Sequence, residues 1–460
     1  MEQPARFVER LDEQLGAAEA ARLRTALDGE PPVSIRLNPS REEGEALLRR
    51  LGCRAAVPWC DGGYYLRERP SFTFDAAFHA GAYYVQEASS QFVGRLLPDA
   101  AEGLRILDLC AAPGGKTTLY AAKVGPRGLV VANEIDRKRV QVLADNVRKW
   151  GTGNVAVTCC DPQRMTGCDG AFDVVAVDAP CSGEGMFRKD DAARAEWSEQ
   201  NVHRCAARQD AILDAAWRML RAGGTLLYST CTFNREEDEG ALERLLARVG
   251  DEAVEASPVE VPEAWGIVCG RTGVFRTFRF FPHRAEGEGF FAAAARKAEE
   301  APTPRTTVKG RRSVLAPLDR ATRGELARWV TEPEAMRFAQ AGDTCYGWYA
   351  AQADEVRRLS ELLPVVYSGV AMGQLFKGRL RPDPALAFFA GLNRGALPAA
   401  ELTEEEALAY LRKQEVAAER FAQGMNLVCR EGRALGFAKR IGGRVNNLYP
   451  NALRILKNED

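Results

Sequence analysis

From residue 105 the chain settles into a rhythm that few folds can accommodate, with short apolar stretches of strand character alternating with longer helical ones. The stretches 106–109, 129–133, 155–158, 174–178 and 225–229 are rich in Val, Ile, Leu and Ala, and helical segments such as 137–150 and 204–221 lie between them. Strands buried on both faces and joined through helices make a parallel, doubly wound α/β sheet. After a helix over 242–249, two further β-like runs at 274–281 and 290–295 predict that the sheet closes with a two-strand return. In an open sheet of this kind, chemistry gathers beyond the carboxyl ends of the strands, so the residues just after each strand carry the functional information.

After the first strand stands Asp108-Leu109-Cys110-Ala111-Ala112-Pro113-Gly114-Gly115-Lys116-Thr117-Thr118. Small residues and paired glycines let a backbone approach a ligand closely. The ending imitates a phosphate-binding P-loop, but that motif requires glycine at the position held by Cys110, and the Gly-x-Gly-x-x-Gly dinucleotide fingerprint is absent. The second strand ends at Asn133-Glu134-Ile135-Asp136. An acid about twenty residues past a glycine loop is placed to bond ribose hydroxyls, which suits Glu134, while Asp136 suits the N-cap of the next helix. The third strand ends at Cys160-Asp161-Pro162, where Asp161 could reach an adenine amino group. Each of these turns also has a purely structural reading, and their succession over three strand ends is what favours a nucleotide-like ligand.

The fourth strand runs into Asp178-Ala179-Pro180-Cys181-Ser182-Gly183, and the fifth into Ser229-Thr230-Cys231-Thr232. A strand-end Asp beside an inert buried Cys is the common fate of such residues. A second thiol at the neighbouring strand end changes the balance, since two thiols and a carboxylate then converge. The acidic run after Asn234 predicts a helix start whose dipole would favour a Cys231 thiolate.

Flanking this sheet, 7–27 predicts one or two helices, and a strand at 33–37, a helix at 42–51 and the stretch 58–66 make a small α+β unit. Residues 81–90 lead into a helix at 92–97, read from the residues alone as packing onto the next domain. Residues 299–312 lack apolar periodicity and read as a linker. Beyond them 313–339 reads as helical, 343–351, 363–367 and 369–376 as strands, and 404–413 as a helix followed by β-like pieces near 426–429 and 435–438. Two basic turns, 377–381 and 439–444, are candidates to dock an RNA backbone. A net charge of −1 over 460 residues does not argue against this, because local patches supply the attraction. Twelve cysteines without a Cys-x-x-Cys pair, with three histidines, argue against zinc modules and thioredoxin-like chemistry. No apolar run approaches the ~18 residues of a spanning helix, so a cytoplasmic protein without a membrane partner is expected.

Taken together, Cys-Ala-Ala-Pro-Gly-Gly-Lys-Thr from Cys110, Asp-Ala-Pro-Cys-Ser-Gly from Asp178 and Ser-Thr-Cys-Thr from Ser229 resemble the RNA cytosine-5 methyltransferases of the NSUN/RsmB/RsmF family. The resemblance spans about 81–297 and includes Pro282-His283-Arg284 and Gly289-Phe290-Phe291. Ser34-Ile35-Arg36-Leu37-Asn38-Pro39 and a long C-terminal extension resemble the bacterial RsmF branch. The resemblance implies a Rossmann-like class I S-adenosylmethionine-dependent methyltransferase sheet (93–298) behind a small N-terminal α+β domain (1–92). It implies a first C-terminal domain (313–401) after the linker and a PUA-like RNA-binding domain (402–460).

S-adenosylmethionine would be bound by Cys110, Ala111, Ala112, Pro113, Gly114, Gly115, Lys116, Glu134, Asp161 and Asp178. Cys231 would be the nucleophile and Cys181 the second catalytic thiol, with Asp178 and Lys116 assisting. The partner would be 16S ribosomal RNA or the small ribosomal subunit, bound by a monomer without a metal. The chemistry fits these residues, because cytosine C5 is a poor nucleophile until a thiolate adds to C6. Transfer RNA as substrate, or a catalytically idle RNA-binding ribosome-assembly factor, are the alternatives. DNA cytosine-5 methyltransferases place their nucleophile at a Pro-Cys like Pro180-Cys181, but Ser182 and the Thr-Cys-Thr strand end favour RNA.

Overall fold

The computed structural model describes residues 3–41, 44–300 and 313–457. Its centre is a ten-stranded sheet. The first to fifth strands, Arg105–Asp108, Leu129–Asn133, Val155–Thr158, Phe172–Asp178 and Leu220–Thr230, are mutually parallel, ordered third, second, first, fourth, fifth across the sheet. The return strand Phe290–Lys297 runs antiparallel against the fifth, and Phe275–Phe280 pairs beyond it. Order reverses between the first and fourth strands, so their carboxyl ends open a crevice. Helices Gly115–Val124 and Arg139–Trp150 pack on one face and Glu199–Met219 on the other, and two apolar clusters fill the layers.

The sequence missed Val254–Ala256, which pairs with the return strand, and Val268–Thr272, and it read a strand at 363–367 without its place in this sheet. Val268–Thr272 makes a hairpin with Phe275–Phe280, while Val365–Ser368, from far along the chain, adds antiparallel to Val155–Thr158. The third strand therefore does not end the sheet as an exposed edge, and the segment after the linker is bonded directly to this sheet.

Helices Ala5–Leu15 and Ala17–Leu27 break at Gly16, whose φ of 77° places it in the left-handed region. The N-terminal unit is a four-stranded sheet, ordered Cys53–Ala56, Gly63–Leu66, Ser34–Leu37, Tyr83–Val85. The helix expected over 92–97 is instead a 3₁₀ helix at Ser89–Arg95.

Residues 313–339 are not one helix. Arg320–Ala327 is α-helical, Pro333–Ala335 makes a single 3₁₀ turn, and Met336–Ala341 is a strand that hairpins through Gly342 and Asp343 onto Thr344–Tyr349. Pro333 disfavours helix for its predecessor, and Gly-Asp is a hairpin signal, so tertiary pairing overrides the local helical composition. These strands join Ala316–Pro317, Val370–Phe376 and Arg379–Pro382 in a five-stranded sheet. A last sheet holds Ala399–Glu401, Gly424–Arg430, Arg433–Ile441 and Arg444–Asn447 beside helix Glu404–Leu411, which starts with a Thr403–Glu406 capping box. The linker expected at 299–312 lies, after its first two residues, outside the described residues. Among the described residues no helix is long and apolar enough to cross a membrane.

Candidate active site

Pairing of the fourth and fifth strands sets Asp178 opposite Ser229, so the turns that follow start side by side. Cys181 Sγ and Cys231 Sγ lie 3.3 Å apart, and Gly185 N–H donates to the Cys231 carbonyl at 2.9 Å. Asp178 is held at both oxygens. Lys116 Nζ stands 2.8 Å from Oδ2, and Ser229 Oγ donates to Oδ1 at 2.8 Å. Lys116 is mostly buried, which draws its pKa down, but the charge of Asp178 and their hydrogen bond more than offset this and leave it raised.

Behind the thiols lies a buried polar network that the sequence did not reveal. Glu237 accepts from Ser182 N and from Gln209 Nε2, both at 2.9 Å, and Asn234 Nδ2 donates to its other oxygen at 2.8 Å. Glu184 accepts from Trp197 Nε1 at 3.0 Å and Phe233 N at 2.8 Å, while Ser182 Oγ and Thr232 Oγ1 meet at 3.0 Å. The Ser182–Glu237, Phe233–Glu184 and Ser182–Thr232 bonds tie the turn after the fourth strand to the turn after the fifth, and Gln209–Glu237 ties the latter to helix Glu199–Met219. The thiol separation is therefore fixed by groups that cannot be withdrawn without leaving buried polar atoms unpaired.

The helix expected from Asn234 begins only at Glu239, because Asn234 Oδ1 accepts from Glu237 N and holds a turn there. The hydrogen bond with Cys231, together with burial, pushes the Cys181 thiol well up.

A cavity of about 360 Å³ opens in front of these groups. Cys110, Ala111, Ala112, Pro113, Gly115, Lys116, Asp178 and Cys231 line it, while Cys181 sits behind Cys231 and Gly114 turns away with a φ of 112°. Gly115 is not left-handed, so its backbone would accept a side chain, but an added Cβ would press on Tyr84 Cε1 at 3.3 Å. Glu134 and Asp161 end adjacent strands on the same edge without lining the cavity. Glu134 is buried, accepting from Asp136 N at 3.0 Å, and Asp161 accepts from Gln163 N at 3.0 Å. Asp136 accepts from Lys138 N and Arg139 N and so caps the turn before the second helix.

Residues 81–90 do more than pack. Strand Tyr83–Val85 carries Tyr84, Gln86, Glu87 and Ser90 to the cavity wall. Arg36 on the neighbouring strand donates to Gln86 Oε1 at 2.9 Å, the Gly115 carbonyl at 3.0 Å and the Thr118 hydroxyl at 2.7 Å, and lies over the Trp150 ring. The N-terminal unit thus grips the 110–118 loop through a buried guanidinium whose pKa burial draws down to about 10.

Asp108 is buried at the end of the first strand, accepting from Thr117 Oγ1 at 2.7 Å. Burial pushes its carboxyl up to about 7, against the opposing pull of that hydrogen bond. An unfolded Asp titrates near ~3.9, so between ~4 and ~7 the folded chain keeps a proton that the unfolded chain has lost. Stability must then fall as pH rises through that window. Asp108→Asn removes the titration, and its melting temperature relative to wild type should climb from pH 5 to about pH 7 and level off above it. A constant difference across that range would contradict the buried, protonated Asp108.

A sheet of this strand order, with a glycine loop after its first strand and an antiparallel return, defines the Rossmann-like S-adenosylmethionine-dependent methyltransferases. Residues 95–296 match the family described as 16S rRNA methyltransferase RsmB/F, residues 3–88 the N-terminal domain of 16S rRNA methyltransferase RsmF, and residues 398–455 the methyltransferase RsmF PUA domain. Ribosomal RNA small subunit methyltransferase F of Erwinia tasmaniensis is 32% identical, over 98% of this chain and 96% of that protein. The protein of the same name from Klebsiella pneumoniae is 36% identical, over 86% and 84%. A methyltransferase homolog protein from Pyrococcus horikoshii, known from its crystal structure, is 28% identical with a TM-score of 0.54, over 63% of this chain and 94% of that one. The chain belongs to the RsmB/RsmF family of 16S ribosomal RNA methyltransferases.

Proposed function

We propose that the chain transfers a methyl group from S-adenosylmethionine to C5 of a cytidine in 16S ribosomal RNA, through a covalent bond between Cys231 Sγ and C6 of the base. The observation that carries this reading is a thiol lining the cavity, Cys231, with a second thiol 3.3 Å behind it and the Lys116–Asp178 pair on the same wall.

The cavity fits the cofactor's methionine portion by its chemistry. Small side chains and backbone of the 110–116 loop line one side, and Asp178, Glu87 and Gln86 offer acceptors for an amino group. Glu134 and Asp161, at the next two strand ends, would hold the ribose hydroxyls and the adenine amino group. When bound, S-adenosylmethionine supplies an electrophilic methyl.

The remaining work falls to the chain. Cys231 as thiolate adds to C6 and makes C5 electron-rich, helped by a hydrogen bond from Cys181. Asp178, positioned by Lys116 and Ser229, stands toward the base edge, where N3 must gain hydrogen-bonding or a proton as the adduct forms. Removal of the C5 proton and expulsion of Cys231 complete the reaction, with Cys181 in the proton relay. The hydrogen bond that most raises the Cys181 pKa ends once Cys231 is a thioether, so Cys181 gives up its proton more readily and a thiolate is more available at the stage that needs a base. The N-terminal unit and the C-terminal units would hold the RNA, the basic turn 439–444 from the PUA-matched segment.

The test is methylation of 16S ribosomal RNA from a strain lacking this gene, followed by bisulfite sequencing. A new protected cytidine is the expected result. Methylation of transfer RNA in preference to 16S RNA would reassign the substrate, and RNA binding without methyl transfer would mean an idle assembly factor.

A further inference from the structure

Residues 297–397 lie between the stretches matched by the methyltransferase and PUA descriptions, and they carry a surface with no role in the site above. Strands Val370–Phe376 and Arg379–Pro382 form a hairpin closed by Lys377 and Gly378, both left-handed with φ of 51° and 74°. A two-residue turn with both φ positive matches the twist of its strands and fixes the register. Gln374 stands opposite Arg381 and Phe376 opposite Arg379. By the period of two, those four share one face, and Leu375 and Leu380 share the other, packed into the core of this unit. The outward face is exposed throughout, and Phe376 keeps 68% of its surface in water.

A large aromatic held in water on a rigid tip loses apolar burial that it could have had, which needs a reason. Its surroundings supply one. Lys377 Nζ lies 5.6 Å from the Phe376 ring centre, and neither it nor Arg379 nor Arg381 makes a salt bridge among the described residues. Below the hairpin, Gln374 and Arg381 form one wall of a polar cleft of about 390 Å³, whose other wall is Lys413, Asn447 and Asn451 of the C-terminal unit.

We infer that this face is a binding site for single-stranded RNA: Phe376 stacks on an unpaired base, Arg379 and Arg381 hold the adjoining phosphates, and the next nucleotide enters the cleft. Aromatic stacking with flanking cations is how unpaired strands are held without base readout, whereas a duplex keeps its base faces covered. The inference rests on the proposed ribosomal RNA substrate, and it places a second anchor on that RNA outside both the catalytic sheet and the PUA-matched segment.

The test compares a short oligouridine with an RNA duplex of equal length on the full chain. Phe376→Ala should weaken oligouridine binding roughly five- to hundred-fold, Phe376→Trp should restore it, and duplex binding should hardly change. Arg379→Ala with Arg381→Ala should reduce the slope of log affinity against log salt by about 1.4 for the single strand. With 16S RNA as methyl acceptor, Phe376→Ala should raise the half-saturating RNA concentration and leave the saturating rate intact.

The inference is overturned if Phe376→Ala binds oligouridine as wild type does, or if it loses single strand and duplex alike. It is overturned too if wild type binds anionic lipid vesicles as tightly as oligouridine, since the face would then fit a membrane surface. Failure of the methyltransferase reading is seen separately, as wild-type protein that transfers no methyl group.

Discussion

Cys231→Ala is expected to abolish methyl transfer, by at least about 10⁴, and to leave no covalent RNA adduct on a denaturing gel. Cys181→Ala should behave in the opposite way at the level of the adduct. Its Cys231 can still add to C6 and the base can still be methylated, but release is impaired, so a heavier, RNase-sensitive band should accumulate. Cys231→Ala introduced into that variant should remove the band. The geometry makes the two outcomes separable: Cys231 lines the cavity, whereas Cys181 stands behind it as a hydrogen-bond partner. Alanine at 181 therefore leaves the route to Cys231 open. The opposite assignment, with the nucleophile in the Pro-Cys turn as in DNA cytosine-5 methyltransferases, requires the adduct to vanish with Cys181→Ala and persist with Cys231→Ala. That pattern would overturn the roles given to the two thiols and leave the fold untouched.

The parts of the molecule that were legible in advance are those where one local pattern meets no competitor. Five apolar strands with helices between them admit little but a doubly wound sheet, and the strand ends then place Cys110, Asp178 and Cys231 on one edge without any coordinates. What was illegible depends on contacts between distant segments. Nothing in Val365–Ser368 tells that it will pair with Val155–Thr158 across two hundred residues of chain. Arg36 reads as an ordinary strand residue, although its guanidinium crosses from the N-terminal sheet to the Gly115 carbonyl. Asn234 and Glu237 read as part of an acidic helix start; in the fold they lie before that helix and bind the two thiol turns together. The segment 313–339 was misjudged for the converse reason: its composition suits a helix, but Pro333 and the Gly342-Asp343 turn commit its second half to a hairpin. Local propensity decides little where a strand partner is waiting.

Lys116→Met should lower the single-turnover rate at saturating RNA and cofactor by roughly 10²–10³, the loss typical when a preorganised charge at the reacting centre is removed. Lys116 reaches Asp178 from the helix that begins at Gly115, so the cofactor loop and the base-facing carboxylate are set by one side chain. Its ammonium also lies 5.2 Å from the Phe290 ring centre, which holds it in place from the return strand. Methionine matches the length and apolar character of the lysine stem but offers Asp178 no charge, leaving Ser229 to tether it among the described residues. The carboxylate would then be free to turn toward water, since Asp178 keeps about a third of its side chain exposed, 35% against 15% for Lys116. Asp178→Asn should cost a comparable factor by keeping the shape and removing the charge. If the two residues act as a unit, the double variant Lys116→Met with Asp178→Asn should be scarcely slower than the worse single variant. Losses that multiply would mean that Lys116 serves the cofactor and Asp178 the base independently, and the positioning role given to Lys116 would have to be withdrawn.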